Sequence, residues 1–266
     1  MPDRPFLSVI TVSYNSAKTI GRTLQSLSDQ TDKDFESIVI DGESVDSTLS
    51  IVRSFQDSIL ISEADSGIYD AMNKGIAKAR GKYVAFLNSD DSYLSETVEK
   101  VKAFALKTNA QIIYGNIQKE RALGNEVLTR VETPNLELMP KTMGVFHPST
   151  FVKRGLFKTL GIYDQRFKQA ADYQWFLRAY LNKVEFRYLD EVLVKFSLGG
   201  VSNNSCETYR EAAIIQKELN TGHHKEMEHL HQVCLSKQKR GELILKIASW
   251  PLVRKIYRRK IRKRWS

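Results

Sequence analysis

The sequence has few cysteines and no long hydrophobic run. Only Cys206 and Cys234 occur among its 266 residues, so a disulfide framework is not expected, which agrees with a reducing cytoplasm. No stretch of about twenty apolar residues is present, so we expect no membrane-spanning helix. The first residues lack the apolar segment and cleavage site of a signal peptide, which argues against secretion by that route.

Net positive charge is confined to the C-terminus. The formal net charge is +9, but residues 237–266 hold twelve Lys and Arg against one Glu. The rest of the chain holds 28 basic and 30 acidic residues, which argues against a protein whose whole surface binds nucleic acid. The chain is long enough, and at 42% hydrophobic residues apolar enough, for one core with an extension.

Short apolar runs alternate with helical patterns in the first half of the chain. The predicted strands are residues 7–12, 35–40, 59–61, 83–87 and 112–114. A helix is predicted over residues 68–79, where apolar residues recur at helical spacing. Alternation of this kind predicts a mostly parallel sheet flanked by helices, an α/β fold.

The second half is less regular. Residues 116–131 are typical of a hairpin or loops, and residues 133–144 carry prolines and a glycine that indicate loops. Further predicted elements are a helix at about 170–181, a strand at 184–196 and helices over roughly 206–240.

Four acidic residues follow predicted strands: Asp41, Asp65, Asp90 and Asp91. Ligands of open α/β sheets gather at the carboxyl ends of the strands, and carboxylates crowded there repel one another unless a cation joins them. Oxygen ligands suit Mg²⁺ or Mn²⁺. Taken singly, each Asp is more often a helix cap or turn residue, so the order and spacing of the set carry the prediction.

The same stretches resemble the family 2 glycosyltransferases, which adopt the GT-A fold, over about residues 6–200. The matching strings are Ser8-Val-Ile-Thr-Val-Ser-Tyr-Asn15, Ile40-Asp41-Gly42, Asp65-Ser-Gly-Ile-Tyr-Asp-Ala-Met-Asn-Lys-Gly75 and Phe86-Leu-Asn-Ser-Asp-Asp91. The resemblance implies a GT-A catalytic domain over 1–205, with a nucleotide-sugar half of about 1–115 and an acceptor half of about 116–205. A helical extension with a basic tail would then cover 206–266.

By this resemblance, a set of side chains binds the donor, a nucleoside diphosphate sugar. Those expected at the nucleotide are Thr11, Ser13, Tyr14 and Asp41, and those expected at the sugar, the diphosphate and the metal are Asp65, Lys74, Ser89 and Asp90. The family's Asp-X-Asp triplet corresponds to Asn88-Ser89-Asp90, so an amide replaces its first carboxylate and Asp90 is the expected ligand of Mn²⁺ or Mg²⁺. A weaker metal site is therefore expected.

On the acceptor side, Ala170-Ala171-Asp172-Tyr173 is similar to the family's acidic motif, whose aspartate is a general base. Asp172 is therefore the expected catalytic base, and Asp91 and His147 are expected near the acceptor. A carboxylate that accepts the acceptor's hydroxyl proton typically contributes about 10² to 10⁴ in rate. The alternatives are a helix-terminal role for Asp172 and a loop role for His147.

The C-terminal residues suit an anionic membrane surface. Their apolar side chains stay near one helical side, and the residues expected to meet the lipid are Trp250, Arg254, Lys255, Arg258, Arg259, Arg262, Lys263 and Arg264. Attachment would place the protein peripherally on the cytoplasmic face of the cell membrane. The alternative is a helix packed on the core with a solvated basic end.

These features predict an inverting, metal-dependent, non-processive glycosyltransferase with a glycan or lipid-linked acceptor. The expected setting is assembly of bacterial surface polysaccharide such as lipopolysaccharide, capsule or exopolysaccharide, with no nucleic-acid partner and with self-association as a homodimer. Two alternatives stay open at the level of sequence: an inactive membrane-associated scaffold of the same fold, and a nucleotidyltransferase that makes the activated sugar. The second normally has a Gly-rich N-terminal loop, which residues 7–16 lack.

Overall fold

The computed structural model describes residues 4–123, 126–198 and 206–245. The strands are β1 (Leu7–Ser13), β2 (Phe35–Asp41), β3 (Ser58–Ser62), β4 (Tyr83–Phe86), β5 (Ser92–Tyr93), β6 (Ile112–Leu123), β7 (Glu126–Glu132), β8 (Thr150–Lys153) and β9 (Phe186–Ser197). In the described chain they form one sheet in the order β3-β2-β1-β4-β8-β6-β9-β5, with β7 paired to β6.

Helices cover both faces of this sheet. They are α1 (Ile20–Ser28), α2 (Thr48–Arg53), α3 (Ile68–Lys78), α4 (Thr97–Thr108), α5 (Leu156–Thr159), α6 (Ala171–Leu181), α7 (Cys206–Glu218) and α8 (His224–Leu245). The mixed α/β architecture confirms the predicted fold class, and most element bounds agree with the sequence patterns within two or three residues.

The first half of the sheet is parallel. Strands β3, β2, β1 and β4 run side by side, and the register aligns Ser13 with Asp41 and Asp41 with Ser62. Each strand of this half except the edge strand β3 is almost wholly buried, because helices cover both of its faces. The parallel arrangement brings the carboxyl ends of the strands to one rim, as the sequence predicts.

The second half mixes strand directions. Strand β8 runs antiparallel to β4 and β6, whereas β6 and β9 run parallel with register shifts around Asn116. Strands β6 and β7 form an antiparallel hairpin over the stretch predicted as a hairpin or loops. Because β8 runs antiparallel to both β4 and β6, these two strands run in the same direction, as does β9. The carboxyl ends of β4, β6 and β9 therefore lie at the same rim.

Two apolar clusters fill the spaces between the sheet and its helices. One lies under α1 and α4 and includes Leu24 and Val98. The other lies under α3, α6 and α7 and includes Met72, Trp175 and Ile215. Because α7 contributes to the same cluster as α6, the first C-terminal helix packs on the core that carries the predicted base.

The two cysteines are paired, contrary to the expectation from the sequence. Cys206 of α7 and Cys234 of α8 form a disulfide with their Cα atoms 5.5 Å apart. The two helices pack along each other as a hairpin, which brings residues 28 positions apart together. A low cysteine count excludes a framework of several bridges, but it carries no information on whether two helical positions meet.

In residues 4–123, 126–198 and 206–245, no helix is both long enough and apolar enough to cross a membrane. The residues predicted to meet a lipid surface, Trp250 to Arg264, lie outside the described residues.

Candidate active site

Asp41 lies at the carboxyl end of β2 and is fully buried. Its Oδ1 accepts hydrogen bonds from the hydroxyls of Ser13 (2.9 Å) and Ser44 (2.6 Å). Its Oδ2 accepts from the Ser44 backbone N–H (2.8 Å) and the Ser62 hydroxyl (3.2 Å). The carboxylate therefore ties together the ends of β1, β2 and β3 and the loop that follows β2.

Tyr14, Gly42 and Asp65 meet beside this buried carboxylate. A methyl group on Gly42 would lie 2.5 Å from Asp65 Oδ2 and 3.6 Å from the Tyr14 ring, so only glycine allows this approach. Tyr14 is 64% exposed, which leaves a large ring surface open beside the Asp65 carboxylate. Of the residues predicted at the nucleotide, Thr11 lies within β1, two residues before its carboxyl end, and its side chain is fully buried.

The loop before α3 has a fixed shape. Asp65 Oδ1 accepts the Gly67 N–H (2.9 Å), and Asp70 Oδ2 accepts the Ser66 N–H (2.9 Å). Gly67 has φ +127°, a conformation that other residues rarely adopt. Lys74 extends from α3 to the Ala64 carbonyl (2.6 Å). These contacts hold Asp65 and Lys74 at the same short segment before α3.

The turn after β4 carries the predicted Asn88-Ser89-Asp90-Asp91 motif. Two side chains of α1 are hydrogen-bonded to this turn. The Thr23 hydroxyl donates to the Asp91 carbonyl (2.7 Å), and the Arg22 guanidinium donates to the Asp90 carbonyl. The Ser89 hydroxyl donates to the Ser16 hydroxyl (2.9 Å), which joins the ends of β4 and β1. The predicted donor residues other than Thr11 therefore lie at or next to the rim.

The turn has unsatisfied oxygens that fit a divalent cation. Among the described residues, Asn88 Oδ1 and Asp91 Oδ2 are buried without a hydrogen-bond partner. Burial raises the pKa of Asp90, and burial together with the neighbouring Asp90 charge raises the pKa of Asp91 well above its usual range. A hard cation would coordinate the unpartnered oxygens and would also offset the repulsion between the two buried carboxylates. The described chain contains no cluster of three His, Cys, Asp or Glu suited to a metal, so other ligands would have to complete the shell.

Asp172 lies in the first turn of α6 and is held by α3. The Tyr69 hydroxyl donates a 2.8 Å hydrogen bond to Asp172 Oδ1, although the two residues are 103 positions apart. Burial and the adjacent Asp172 charge raise the pKa of Tyr69 well above its usual value, so the phenol stays protonated and remains a donor. The Asp172 side chain keeps 22% of its surface exposed, which leaves it open to an incoming hydroxyl.

His147 lies on the other side of Asp172. Its Nδ1 is 3.9 Å from Asp172 Oδ2, and its Nε2 is hydrogen-bonded to the Tyr163 hydroxyl at 3.0 Å. The ring packs against Phe86 and Phe176. Burial lowers the pKa of His147 although the Asp172 charge acts in the opposite direction, so the imidazole is neutral near pH 7. The structure therefore brings His147 to the predicted base, whereas Asp91 faces β9 through the Ser197 N–H (3.0 Å).

Sequence reasoning missed Tyr69 and Tyr163 as site residues. Tyr69 stands within the motif Asp65 to Gly75 and precedes Met72 and Ile76 at helical spacing, which would have placed it on the buried face of α3. Nothing local to Tyr163 distinguishes it from an ordinary core tyrosine. Its place near His147 follows from the packing of α5 and α6 against β4.

A sheet with acidic turns at its carboxyl rim, and a neighbouring helix that carries a hydrogen-bonded carboxylate, are the arrangement expected of a sugar transferase. Comparison with known proteins identifies the family. The chain belongs to glycosyl transferase family 2, whose family model matches residues 8–161, and it is a glycosyltransferase. This membership argues against the nucleotidyltransferase alternative.

Curated relatives support the same conclusion. The chain is 31% identical over 208 residues to a PGL/p-HBAD biosynthesis glycosyltransferase of Mycobacterium tuberculosis, which covers 75% of this chain and 80% of the relative. It is 34% identical over 215 residues to an uncharacterized glycosyltransferase of the same species, covering 77% and 79%.

Solved structures share the GT-A fold. Staphylococcus aureus TarS superposes with a TM-score of 0.63 at 24% identity, over 78% of this chain and 39% of the TarS chain. A TarS fragment in complex with UDP-GlcNAc gives a TM-score of 0.65 at 23% identity, over 79% and 66%. A mannosyltransferase from Pyrobaculum calidifontis, in complex with GDP-Man and Mn²⁺, gives 0.61 at 15% identity, over 96% and 83%. At these identities the similarity establishes the fold alone.

Proposed function

We propose that this glycosyltransferase is inverting, metal-dependent and non-processive, and that it transfers a sugar from a nucleoside diphosphate sugar to an acceptor hydroxyl. The observation that carries this proposal is the Tyr69–Asp172 hydrogen bond of 2.8 Å. It joins α3, which follows the loop of Asp65, to α6, which bears the Asp172 carboxylate. One catalytic carboxylate, rather than two facing each other, suits a single displacement.

In the proposed reaction, Asp172 accepts the proton of the acceptor hydroxyl. The hydroxyl oxygen attacks the anomeric carbon of the donor sugar, the bond from that carbon to the phosphate oxygen breaks, and the nucleoside diphosphate leaves. Tyr69 holds one carboxylate oxygen, so the second oxygen is the one directed at the hydroxyl proton. A single in-line displacement inverts the anomeric configuration.

The donor would bind along the rim formed by residues 1–115. Tyr14 and the loop fixed by Asp41 would contact the nucleoside, and Asp65, Lys74 and Ser89 would border the sugar and diphosphate. Asp90 would hold the divalent cation, with Asn88 and the donor phosphates as further ligands. When bound, Mn²⁺ or Mg²⁺ would stabilise negative charge on the departing diphosphate.

Two measurements test this function. Thermal shifts with UDP, GDP, dTDP and CMP, each with and without Mn²⁺, should show a metal-dependent stabilisation by one nucleotide, because ligands raise stability by mass action. Asp172→Asn should then lower turnover of the matching nucleoside diphosphate sugar by about 10² to 10⁴ while keeping the nucleotide shift. Unchanged turnover in Asp172→Asn would exclude Asp172 as the base, and wild-type protein without turnover would favour the scaffold alternative.

We infer further that a lipid-linked glycan is the acceptor and that the basic tail attaches the enzyme to the inner face of the membrane. The support is the composition of residues 237–266, with twelve Lys and Arg and an apolar helical side. The Cys206–Cys234 disulfide is at odds with a reducing compartment. The location therefore rests on the tail alone, and self-association stays a prediction.

Deleting residues 246–266 tests the tail, because this cut begins where the described part of α8 ends. The shortened protein should lose binding to vesicles that contain anionic lipid and keep its Mn²⁺-dependent nucleotide shift. Equal vesicle binding by both proteins would exclude the tail as the membrane anchor.

A further inference from the structure

Helix α6, which carries the candidate base, lacks a cap of its own. Its N-cap residue is Ala170, which has no side chain that could accept the free N–H groups of the first turn. The chain before it, Lys168 and Gln169, likewise presents backbone N–H groups toward α7. Such groups cost free energy when they are buried without partners.

Glu211 of α7 accepts the N–H group of the N-cap residue and the N–H groups of the two residues before it. Its Oε1 accepts the Lys168 N–H (2.8 Å), and its Oε2 accepts the N–H groups of Gln169 (2.8 Å) and Ala170 (2.9 Å). The residue is 3% exposed. A buried carboxylate is costly unless several donors compensate it, and here three consecutive backbone N–H groups and the positive end of α6 do so.

The capped segment leads directly into the site. Ala170 is two residues before Asp172, and Gln165 and Phe167–Gln169 line a cavity of about 240 Å³ opposite Ser66–Asp70. Lys168 also reaches across to the Ser66 carbonyl at 3.1 Å. A shift of the Lys168–Ala170 backbone would therefore move the candidate base and one wall of this cavity together.

A second contact from α7 acts on the same helix. Gln216 is fully buried, and its Nε2 donates to the Tyr173 hydroxyl (3.0 Å) and to the Lys141 carbonyl (2.7 Å). Helix α7 thus contacts α6 on both sides of Asp172 in sequence and also contacts the loop before β8. The disulfide at Cys206 fastens the first turn of α7 to α8.

We propose that Glu211 is a positioning residue for Asp172, so that α7 is part of the catalytic apparatus and not an appendage to it. This inference rests on the proposed role of Asp172 as the base. Glu211 contacts neither the carboxylate of Asp172 nor the donor rim, and it acts through the backbone of residues 168–170.

The variant Glu211→Gln tests the proposal, because an amide keeps the size of the side chain but loses the charge and one acceptor oxygen. The control is Glu218→Gln on the same helix, which removes an exposed ion pair with Arg166. The probes are UDP-GlcNAc and GDP-mannose with Mn²⁺, and release of the nucleoside diphosphate is measured well below the melting temperature of each variant. Circular dichroism confirms that the variants are folded.

Glu211→Gln should lower kcat about 10- to 100-fold, because small displacements of a catalytic group have effects of this size. The KM for the donor and the Mn²⁺-dependent nucleotide shift should stay within about twofold of wild type, since the donor rim is not touched. Glu218→Gln should match wild type in all of these. A purely structural role would lower the melting temperature of Glu211→Gln and leave kcat of the folded protein unchanged, which would overturn the proposal.

If Glu211→Gln does not fold, Glu211→Asp serves instead, because it keeps the charge and retracts the carboxylate by one methylene. An intermediate kcat with unchanged donor KM is then expected, and wild-type kcat would overturn the proposal. Asp172→Asn distinguishes failure of the positioning role of Glu211 from failure of the proposed function. If it is inactive while the Glu211 variants are fully active, only the positioning role fails; if it is active, the proposed function fails as well.

Discussion

The donor half and the acceptor half of the site are held in place by different kinds of contact. In the donor half, Asp41, Asp65 and Asp90 each lie within a few positions of a strand end, and Asp41 is bonded to the neighbouring strand ends through Ser13 and Ser62. In the acceptor half, Asp172 lies among Tyr69 of α3 and His147 before β8, and α7 contacts the chain just before it. The donor half follows from the alignment of parallel strands, whereas the acceptor half depends on how helices pack on the sheet.

The two halves also differ in how far the polar groups named above are hydrogen-bonded. At the donor rim, buried oxygens of Asn88 and Asp91 have no hydrogen-bond partner, and the proposed cation and donor phosphates would lower the cost of burying them. Around Asp172, the Tyr69 hydroxyl donates to the carboxylate, His147 and Tyr163 are hydrogen-bonded to each other, and Glu211 accepts the backbone N–H groups before α6. We therefore expect ligand binding to stabilise the donor half strongly and mutation to affect the acceptor half mainly through rate.

After Asp172→Asn, the largest effect is expected for Tyr69→Phe, which removes one hydroxyl and keeps the ring. A hydrogen bond to a charged group is worth about 1.5 to 3 kcal/mol, so kcat should fall by about one to two orders of magnitude. The donor KM and the nucleotide shift should stay near wild type. Tyr180→Phe, on the same helix as Asp172, is the matched control. A kcat equal to that of wild type would show that Asp172 needs no support from α3.

A smaller effect is expected in the donor half for Asn88→Asp. The new carboxylate adds a charged ligand beside Asp90, so the Mn²⁺ concentration for half-maximal stabilisation should fall on the order of tenfold. Without metal, repulsion from Asp90 and Asp91 should lower the melting temperature. Opposite changes with and without Mn²⁺ identify a metal ligand. A melting temperature that falls equally in both conditions would show that position 88 does not face the cation.

This contrast also explains how much the sequence could predict. The strand ends at Asp41, Asp65 and Asp90 were predictable, because parallel strands place their carboxyl ends on one rim whatever the details of packing. The contacts of Tyr163 and Glu211 were not, since they depend on how loops and the helices α6 and α7 pack on the sheet, which the sequence pattern does not specify. The disulfide between Cys206 and Cys234 belongs to the same class, because it depends on the α7–α8 hairpin.

The smallest expected effect concerns His147 and the pH dependence of stability. Burial lowers the pKa of His147 in the folded protein, so the unfolded chain binds the proton more tightly. The contribution of a neutral His147 is therefore fully present above the ordinary histidine pKa of about 6.5 and is lost as pH falls below it, by at most about 1.4 kcal/mol per pH unit. The nearby Asp172 carboxylate opposes this loss, and the Tyr163 phenol stays neutral over the same range.

His147→Gln removes the titrating group and keeps a polar side chain of similar length, so denaturant unfolding at pH 5.5, 6.5 and 7.5 should show a shallower decline toward low pH than in wild type. His229→Gln, at an exposed position on α8, supplies the matched comparison and should keep the wild-type slope. Because only slopes are compared, a uniform loss of stability from the changed ring packing does not disturb the result. Identical slopes for His147→Gln and wild type would mean that His147 binds its proton equally well in the folded and the unfolded chain, and the lowered pKa of His147 would have to be abandoned.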